Sequence, residues 1–156
     1  MRIWNIISVI ILDQITKYMI IHNLKLHQAI PITGFFNITY IKNTGVVFGI
    51  MSNMKQSIPP ILFVVINIIA IIILILWLLK PDNNIWMNMG ISLIIGGAFG
   101  NLMDRLVYGG VIDFLDFHIG KCHWPAFNIA DTAITIGTIL LGIGLFFKDK
   151  YAPKSI

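Results

Sequence analysis

Glutamate is absent from this 156-residue chain, and aspartate supplies all seven of its acids. Cysteine is nearly absent: Cys122 stands alone, which excludes an intrachain disulfide and a thiolate metal cage. Charge of either sign is scarce, at 12% of residues, where a soluble domain of this length carries roughly twice that fraction. The net charge of +4 comes from scattered basic residues with no patch interleaved with aromatics, so no nucleic-acid partner is expected. HExxH does not occur, and His118 and His123 are five apart, which argues against a zinc protease. The run GGAFGN lacks the lysine and hydroxyl of a phosphate-binding loop. No metal or cofactor is expected, and internal repeats and low-complexity tracts are missing.

Apolar residues fill the space that charge leaves, at 57% of the chain. About 20 consecutive apolar residues suffice to cross the hydrocarbon core as helix. Four windows qualify, at about 3–22, 57–79, 85–103 and 127–147. The expected fold is an all-α membrane protein, a four-transmembrane-helix bundle forming one integral-membrane domain over 1–156. The first window carries Asp13 and Lys17 and is followed by no Ala-x-Ala-like exit, so it reads as a retained helix rather than a signal peptide. Pro81 stops the second helix, and Pro59 and Pro60 suit its first turn. The β-branched and aromatic segment 35–41 reads as a strand entering a turn at Asn43–Gly45, and a second short strand is expected within 111–118. Together they predict a small β-sheet and loop cap on the outer face of the bundle.

Four spans place both termini on one side and the long loops, about 23–56 and 104–126, on the other. By raw count the basic residues barely orient the bundle. Their greater density in the short flanking segments favours cytoplasmic termini. Trp4, Trp77, Trp86 and Trp124 fall near span ends and read as belt residues.

Five of the seven acids, Asp13, Asp104, Asp113, Asp116 and Asp131, lie within or beside these spans. A carboxylate at membrane depth costs at least a few kcal/mol and marks a functional site by default. Asp104 is expected to end the third helix, Asp113 to follow in the loop, and Asp131 to open the fourth. Asp13 lies in the half of the first helix nearer the same side. Gly97, Asn101 and Asp104 share one helical face; Asn128, Asp131, Thr135 and Thr138 form a stripe; Asp13 and Lys17 are an i,i+4 pair. Polar faces in lipid turn inward, so these helices are expected to line a shared hydrophilic notch. Gly96 and Gly100 suit close helix packing, and Asn67 suits an interhelical hydrogen bond. Asp104 with Arg105 reads as a structural ion pair, while Asp82, Asp116 and Asp149 read as solvated or interfacial.

Two carboxylates held close cannot both ionise, so they share a proton. The ionised member takes a proton from water while the protonated member donates to a carbonyl oxygen or leaving amine. That suffices for peptide hydrolysis without a nucleophilic side chain or metal. Other readings stay open at this level. Asp113 alone serves equally as a loop acid capping a turn, and Asp131 as a first-turn acid favoured by the helix dipole. A proton relay in a small transporter or channel is one alternative, although acids clustered at one end serve it poorly. A non-catalytic binding module for signal helices is another.

Three motifs carry a resemblance. Gly96–Arg105 reads GGAFGNLMDR, Val111–Phe114 reads VIDF, and Phe127–Asp131 reads FNIAD. In this order and spacing they resemble the GGAxGNxxDR, V-[VI]-D-F and FNxAD motifs of the lipoprotein signal peptidases (prolipoprotein signal peptidase, signal peptidase II). Asp13-Gln14-Ile15-Thr16-Lys17 and Asn43-Thr44-Gly45 resemble that family's first-helix and first-loop motifs. The likeness runs nearly end to end. It implies a membrane aspartic endopeptidase with Asp113 and Asp131 as the catalytic dyad. Asp13, Lys17, Asn43, Gly45, Asn101, Asp104, Arg105 and Asn128 then shape the site or hold substrate. The implied partners are lipidated prolipoprotein signal peptides and membrane lipids. Cleavage falls just before the diacylglyceryl-modified cysteine, in the bacterial inner membrane, with the site facing the periplasmic side. Nothing requires more than a monomer. Val46-Val47 depart from the small residues that often follow the family's asparagine–glycine turn.

Overall fold

Glycine decides where the helices meet. The computed structural model describes residues 2–45 and 60–148. Its helices are α1 (Arg2–Asn23), α2 (Pro60–Leu78), α3 (Ile85–Tyr108) and α4 (Ile129–Lys148). All four are long and apolar enough to cross a membrane. The α3 helix is the hub, touching each of the other three. A Cβ on Gly90 would stand 2.6 Å from the Gly137 carbonyl oxygen, and one on Gly137 would stand 2.7 Å from that of Gly90. At Gly96 a Cβ would lie 2.8 Å from Val9 of α1, and at Gly97 it would strike the Ala130 carbonyl of α4. Lipid supplies no hydrophobic drive between helices, so this backbone approach and its dispersion contacts hold the bundle. In contrast, α2 exposes Ile61, Leu62, Val65, Ile66, Ile69, Ile72 and Ile73, as a lipid-facing helix should. Its one polar side chain, Asn67, donates to the Ala98 carbonyl of α3 at 3.1 Å, as its position in the span predicted.

The ends of α3 are set by polar chemistry. Asn84 caps its start, accepting from the Met87 N–H at 3.0 Å and donating to the Gly144 carbonyl of α4 at 2.7 Å. Gly109, at φ 69°, closes it in the left-handed conformation with its N–H on the Arg105 carbonyl. The helix therefore runs past the apolar window, and Asp104 lies inside it rather than at its end. Hydropathy measures the depth of lipid, whereas the Gly109–Gly110 turn measures the helix.

The sheet has four strands in the order β1 (Ala29–Thr33), β2 (Phe36–Asn43), β3 (Val111–Ile119), β4 (Cys122–His123), each antiparallel to the next. The strands expected at 35–41 and within 111–118 are β2 and β3. The sequence reading missed β1 because Pro31 interrupts it, which an edge strand tolerates. It missed β4 because that strand is two residues long. The β2–β3 register slips by one residue between Ile38 and Ile41. Buried Ile112 and Phe114 on β3 pack against Ile20 of α1, which seats the sheet where α1 and α3 end and α4 begins.

Gly90→Ala should cost about 1–3 kcal/mol by forcing α3 and α4 apart. Gly142, exposed on α4 with nothing within 4 Å of its Cβ direction, should accept alanine with no loss, or with a gain of up to about 1 kcal/mol. Thermal unfolding of the two purified variants in one detergent compares them; equal losses would contradict glycine-limited packing.

Candidate active site

The site grows from a buried ammonium. Lys17 Nζ lies 2.8 Å from Asp13 Oδ2, 2.7 Å from Asp104 Oδ2 and 3.1 Å from Asn101 Oδ1, which occupies all three of its donors. Its side chain is 1% exposed, and both carboxylates are fully buried. An ion cluster this dry persists only when its remaining lone pairs are satisfied. The partners are informative: the Ala130 N–H donates to Asp13 Oδ1 at 2.9 Å, and the Ile112 N–H donates to Asp104 Oδ2 at 3.0 Å. These are the residues that immediately precede Asp131 and Asp113. Gln14 Nε2 adds bonds to Asp104 Oδ1 at 3.0 Å and Asp13 Oδ2 at 3.2 Å.

Two asparagines carry the arrangement onward. Asn128, fully buried at the head of α4, donates to Asp113 Oδ1 at 2.7 Å and accepts from the Asp131 N–H at 2.8 Å. One amide thus caps α4 and holds a carboxyl of β3. Asn101 Nδ2 donates to Asp131 Oδ1 at 2.8 Å, while its Oδ1 faces Lys17. On the far side, Asn43 Nδ2 of β2 donates to Asp113 Oδ2 at 3.1 Å, and its own Oδ1 accepts from the Gly45 N–H at 2.9 Å. Gly45 sits at φ 83°, a conformation that suits glycine in this turn. Arg105 folds back to donate to the Asn101 carbonyl at 3.1 Å.

Asp113 is 2% exposed and lies on β3, outside the spans. Burial pushes its carboxyl up to about 7; the Asn43 and Asn128 bonds and the Lys17 charge oppose the rise, and the Asp131 charge adds to it. A carboxyl that changes state near neutral pH and feels the charge of a second is suited to general acid–base work. Among the described residues, no group of three or more His, Cys or Asp side chains is arranged to hold a metal ion.

Asp13, Lys17, Asn43, Asn101, Asp104, Asp113, Asn128 and Asp131 therefore share one hydrogen-bonded network, with Gly45 and Arg105 attached at its edge. Three sequence readings need correction. Asp104 pairs with Lys17, not with its neighbour Arg105, because a side chain inside a helix faces the next helix rather than the adjacent residue. Thr135 and Thr138 are exposed, and their hydroxyls donate to the Asp131 and Ile134 carbonyls of their own helix, so the α4 stripe leaves the notch after Asp131. Asp116 is buried and bonded by Asn37 and His123, rather than solvated. Gln14 was overlooked as a site residue, although it adjoins Asp13. Val46-Val47, Pro59 and Asp149 lie outside the described residues.

Residues 5–147 match the family model of signal peptidase (SPase) II, Peptidase_A8. A lipoprotein signal peptidase of Syntrophus aciditrophicus is 43% identical over 144 residues, 91% of this chain and 89% of the relative. One from Francisella tularensis subsp. novicida is 47% identical over 146 residues, 92% of this chain and 91% of the relative. A solved bacterial membrane enzyme superposes with TM-score 0.81 at 36% identity, covering 99% of this chain and 93% of its own. A second does so with TM-score 0.81 at 37% identity, covering 92% and 91%.

The raised Asp113 carboxyl has a consequence for stability. Its ionised form is disfavoured in the fold, so no cost arises below the ordinary carboxylate range, and the cost accrues as pH rises from about 4 through about 7. At full ionisation it is on the order of 4 kcal/mol. Asp113→Asn, which cannot ionise, should therefore gain on the parent protein in melting temperature between about pH 5 and pH 8. A gap that stays constant across that range would contradict the assignment.

Proposed function

The chain belongs to the signal peptidase II family, and from that premise we propose that it is a membrane aspartic endopeptidase acting on diacylglyceryl-modified prolipoproteins. It removes the signal peptide by cutting just before the lipidated cysteine. The observation that carries this reading is Asn128, whose amide bonds the Asp113 carboxyl and, through its oxygen, the Asp131 backbone. Two acids from separate elements are thereby tied to one another.

In the mechanism, Asp113 holds the shared proton at neutral pH and Asp131 is the base. Asp131 accepts a proton from water; the water oxygen attacks the scissile carbonyl while Asp113 donates to the developing oxyanion; as the C–N bond breaks, Asp131 passes its proton to the leaving amine and the diol hydroxyl returns one to Asp113. Water exclusion at the bilayer boundary strengthens each of these charge interactions. Asn43, Asn101 and Asn128 orient the dyad, while Lys17, Asp13 and Asp104 fix its backbone. Thr135 and Thr138 bond within their own helix and face away, which leaves a transmembrane proton relay without its stations.

The protein is a multi-pass membrane protein. In our reading it occupies the bacterial inner membrane as a monomer, with cytoplasmic termini. Arg2 at the start of α1 donates to the Leu78 carbonyl at the end of α2, at the end of the bundle opposite the acids. The site and the sheet then face the periplasm, with the sheet resting on the outer bundle face. The lipid tails of the substrate lie in the bilayer beside the helices while the signal helix enters the notch.

Asp113→Asn and Asp131→Asn should each lower cleavage of a purified lipidated precursor by about 10³-fold or more, read as the mass shift of the product. Near-normal turnover by either variant would refute the dyad. Precursor that binds without any mass shift in the parent protein would favour a binding module instead.

A further inference from the structure

The two acids lie 18 positions apart, and the chain between them forms a hairpin. From Asp113, β3 runs to a turn at Gly120 (φ 59°), and β4 returns toward Asn128. Backbone bonds close the base: the Phe114 and Leu115 N–H groups donate to the Phe127 carbonyl at 3.0 and 2.8 Å, and the Phe127 N–H returns to Leu115 at 3.1 Å. Above the base, Pro125 has no N–H to offer, and the β3–β4 ladder is short. The Trp124 N–H still donates to the Phe117 carbonyl at 2.8 Å, and side chains add to that backbone bond. His123 Nδ1 lies 2.8 and 3.1 Å from the two oxygens of Asp116, and Asn37 Nδ2 of β2 donates to Asp116 Oδ2 at 2.8 Å.

Asp116 is a buried carboxylate that the reaction does not use. Burial alone would raise its pKa, yet the Asn37 and His123 bonds and the nearby imidazole charges hold it below the ordinary carboxylate value. Its anionic form is thus kept in place by partners on two different strands. The link to β2 matters because β2 also carries Asn43, the donor to Asp113. The ladder slips between Ile38 and Ile41, so the half holding Asp116 and the half holding Asp113 have separate registers. The chain Asn37–Asp116–His123 locks the outer half. His118 stacks on His123 with ring centroids 4.8 Å apart, and its Nδ1 donates to the Gly120 carbonyl at 3.2 Å, which steadies the imidazole on its open side.

We propose that Asp116 and His123 are positioning residues for the peptidase reaction: their pair braces the outer part of the hairpin that connects Asp113 to Asp131 and so steadies the placement of the two reacting carboxyls. The inference rests on the dyad reading above. A misplacement of about 1 Å at a reacting centre can cost on the order of 100-fold in rate, so the clamp should show in kcat.

Full-length enzyme in detergent, with a lipidated precursor peptide, tests this through His123→Ala, His123→Asn, Asp116→Ala and, in parallel, Asp113→Asn. The asparagine amide reaches the place of imidazole Nδ1 and still donates to Asp116. Both alanine variants should lose about tenfold or more in kcat, with KM within about twofold. His123→Asn should recover to within about threefold of the parent. Parent-like kcat in folded His123→Ala would overturn the clamp. So would a loss that His123→Asn does not recover, since the residue would then serve stability alone. Should the buried Asp116→Ala not fold, His123, whose side chain is 49% exposed, decides the matter alone. Activity retained by Asp113→Asn would instead sink the dyad, a different failure from that of the clamp.

Discussion

The polar network at one end of this molecule is hung from one buried cation. The Lys17 ammonium draws Asp13 and Asp104 into the bundle, and each of those carboxylates spends another bond on a backbone N–H. The N–H groups belong to Ala130 and Ile112, one residue ahead of Asp131 and Asp113. A single side chain of α1 thereby places the head of α4 and the start of β3 relative to α3. Removing one partner from so dry a cluster typically costs 3–5 kcal/mol, because the others are left charged and unpaired. The energetic stake explains how a small membrane protein holds two acids rigidly on separate elements.

The glycines of α3 make the cluster possible. A Cβ at Gly100 would collide with the Asp13 carboxylate, and one at Gly97 with the Ala130 carbonyl. Close helix approach and a buried polar network are thus the same requirement seen from two sides. The sheet completes the enclosure. By seating Ile112 and Phe114 against Ile20, it brings Asp113 over the helix ends and out of water, and that desolvation is what moves its titration toward neutrality.

Much of this was legible in the chain itself, for reasons that differ by element. The spans declared themselves through apolar length, and the acids through their rarity in such surroundings. The i,i+4 spacing of Asp13 and Lys17 pointed to a pair, and the motifs around Asp104, Asp113 and Asp131 pointed to a family. What could not be read was set by tertiary contact. Nothing local says that Asp104 prefers Lys17, 87 positions away, to Arg105 beside it. Nothing local distinguishes Asp131, turned inward, from Thr135 one turn later, turned outward. Asp116 reads as solvated or interfacial in sequence because its partners, Asn37 and His123, come from two other strands. The length of α3 was hidden for a different reason: a capping glycine, not the edge of the bilayer, ends it.

In the proposed reaction two carboxyls share one proton and one water. The pH dependence of kcat/KM for cleavage of a lipidated precursor reports that pair most directly, since its limbs belong to the free enzyme's acid and base. The expected profile is a bell whose alkaline limb falls near pH 7, where Asp113 gives up its proton. A rate that stays level or keeps climbing from about pH 7 to about pH 9 would contradict it.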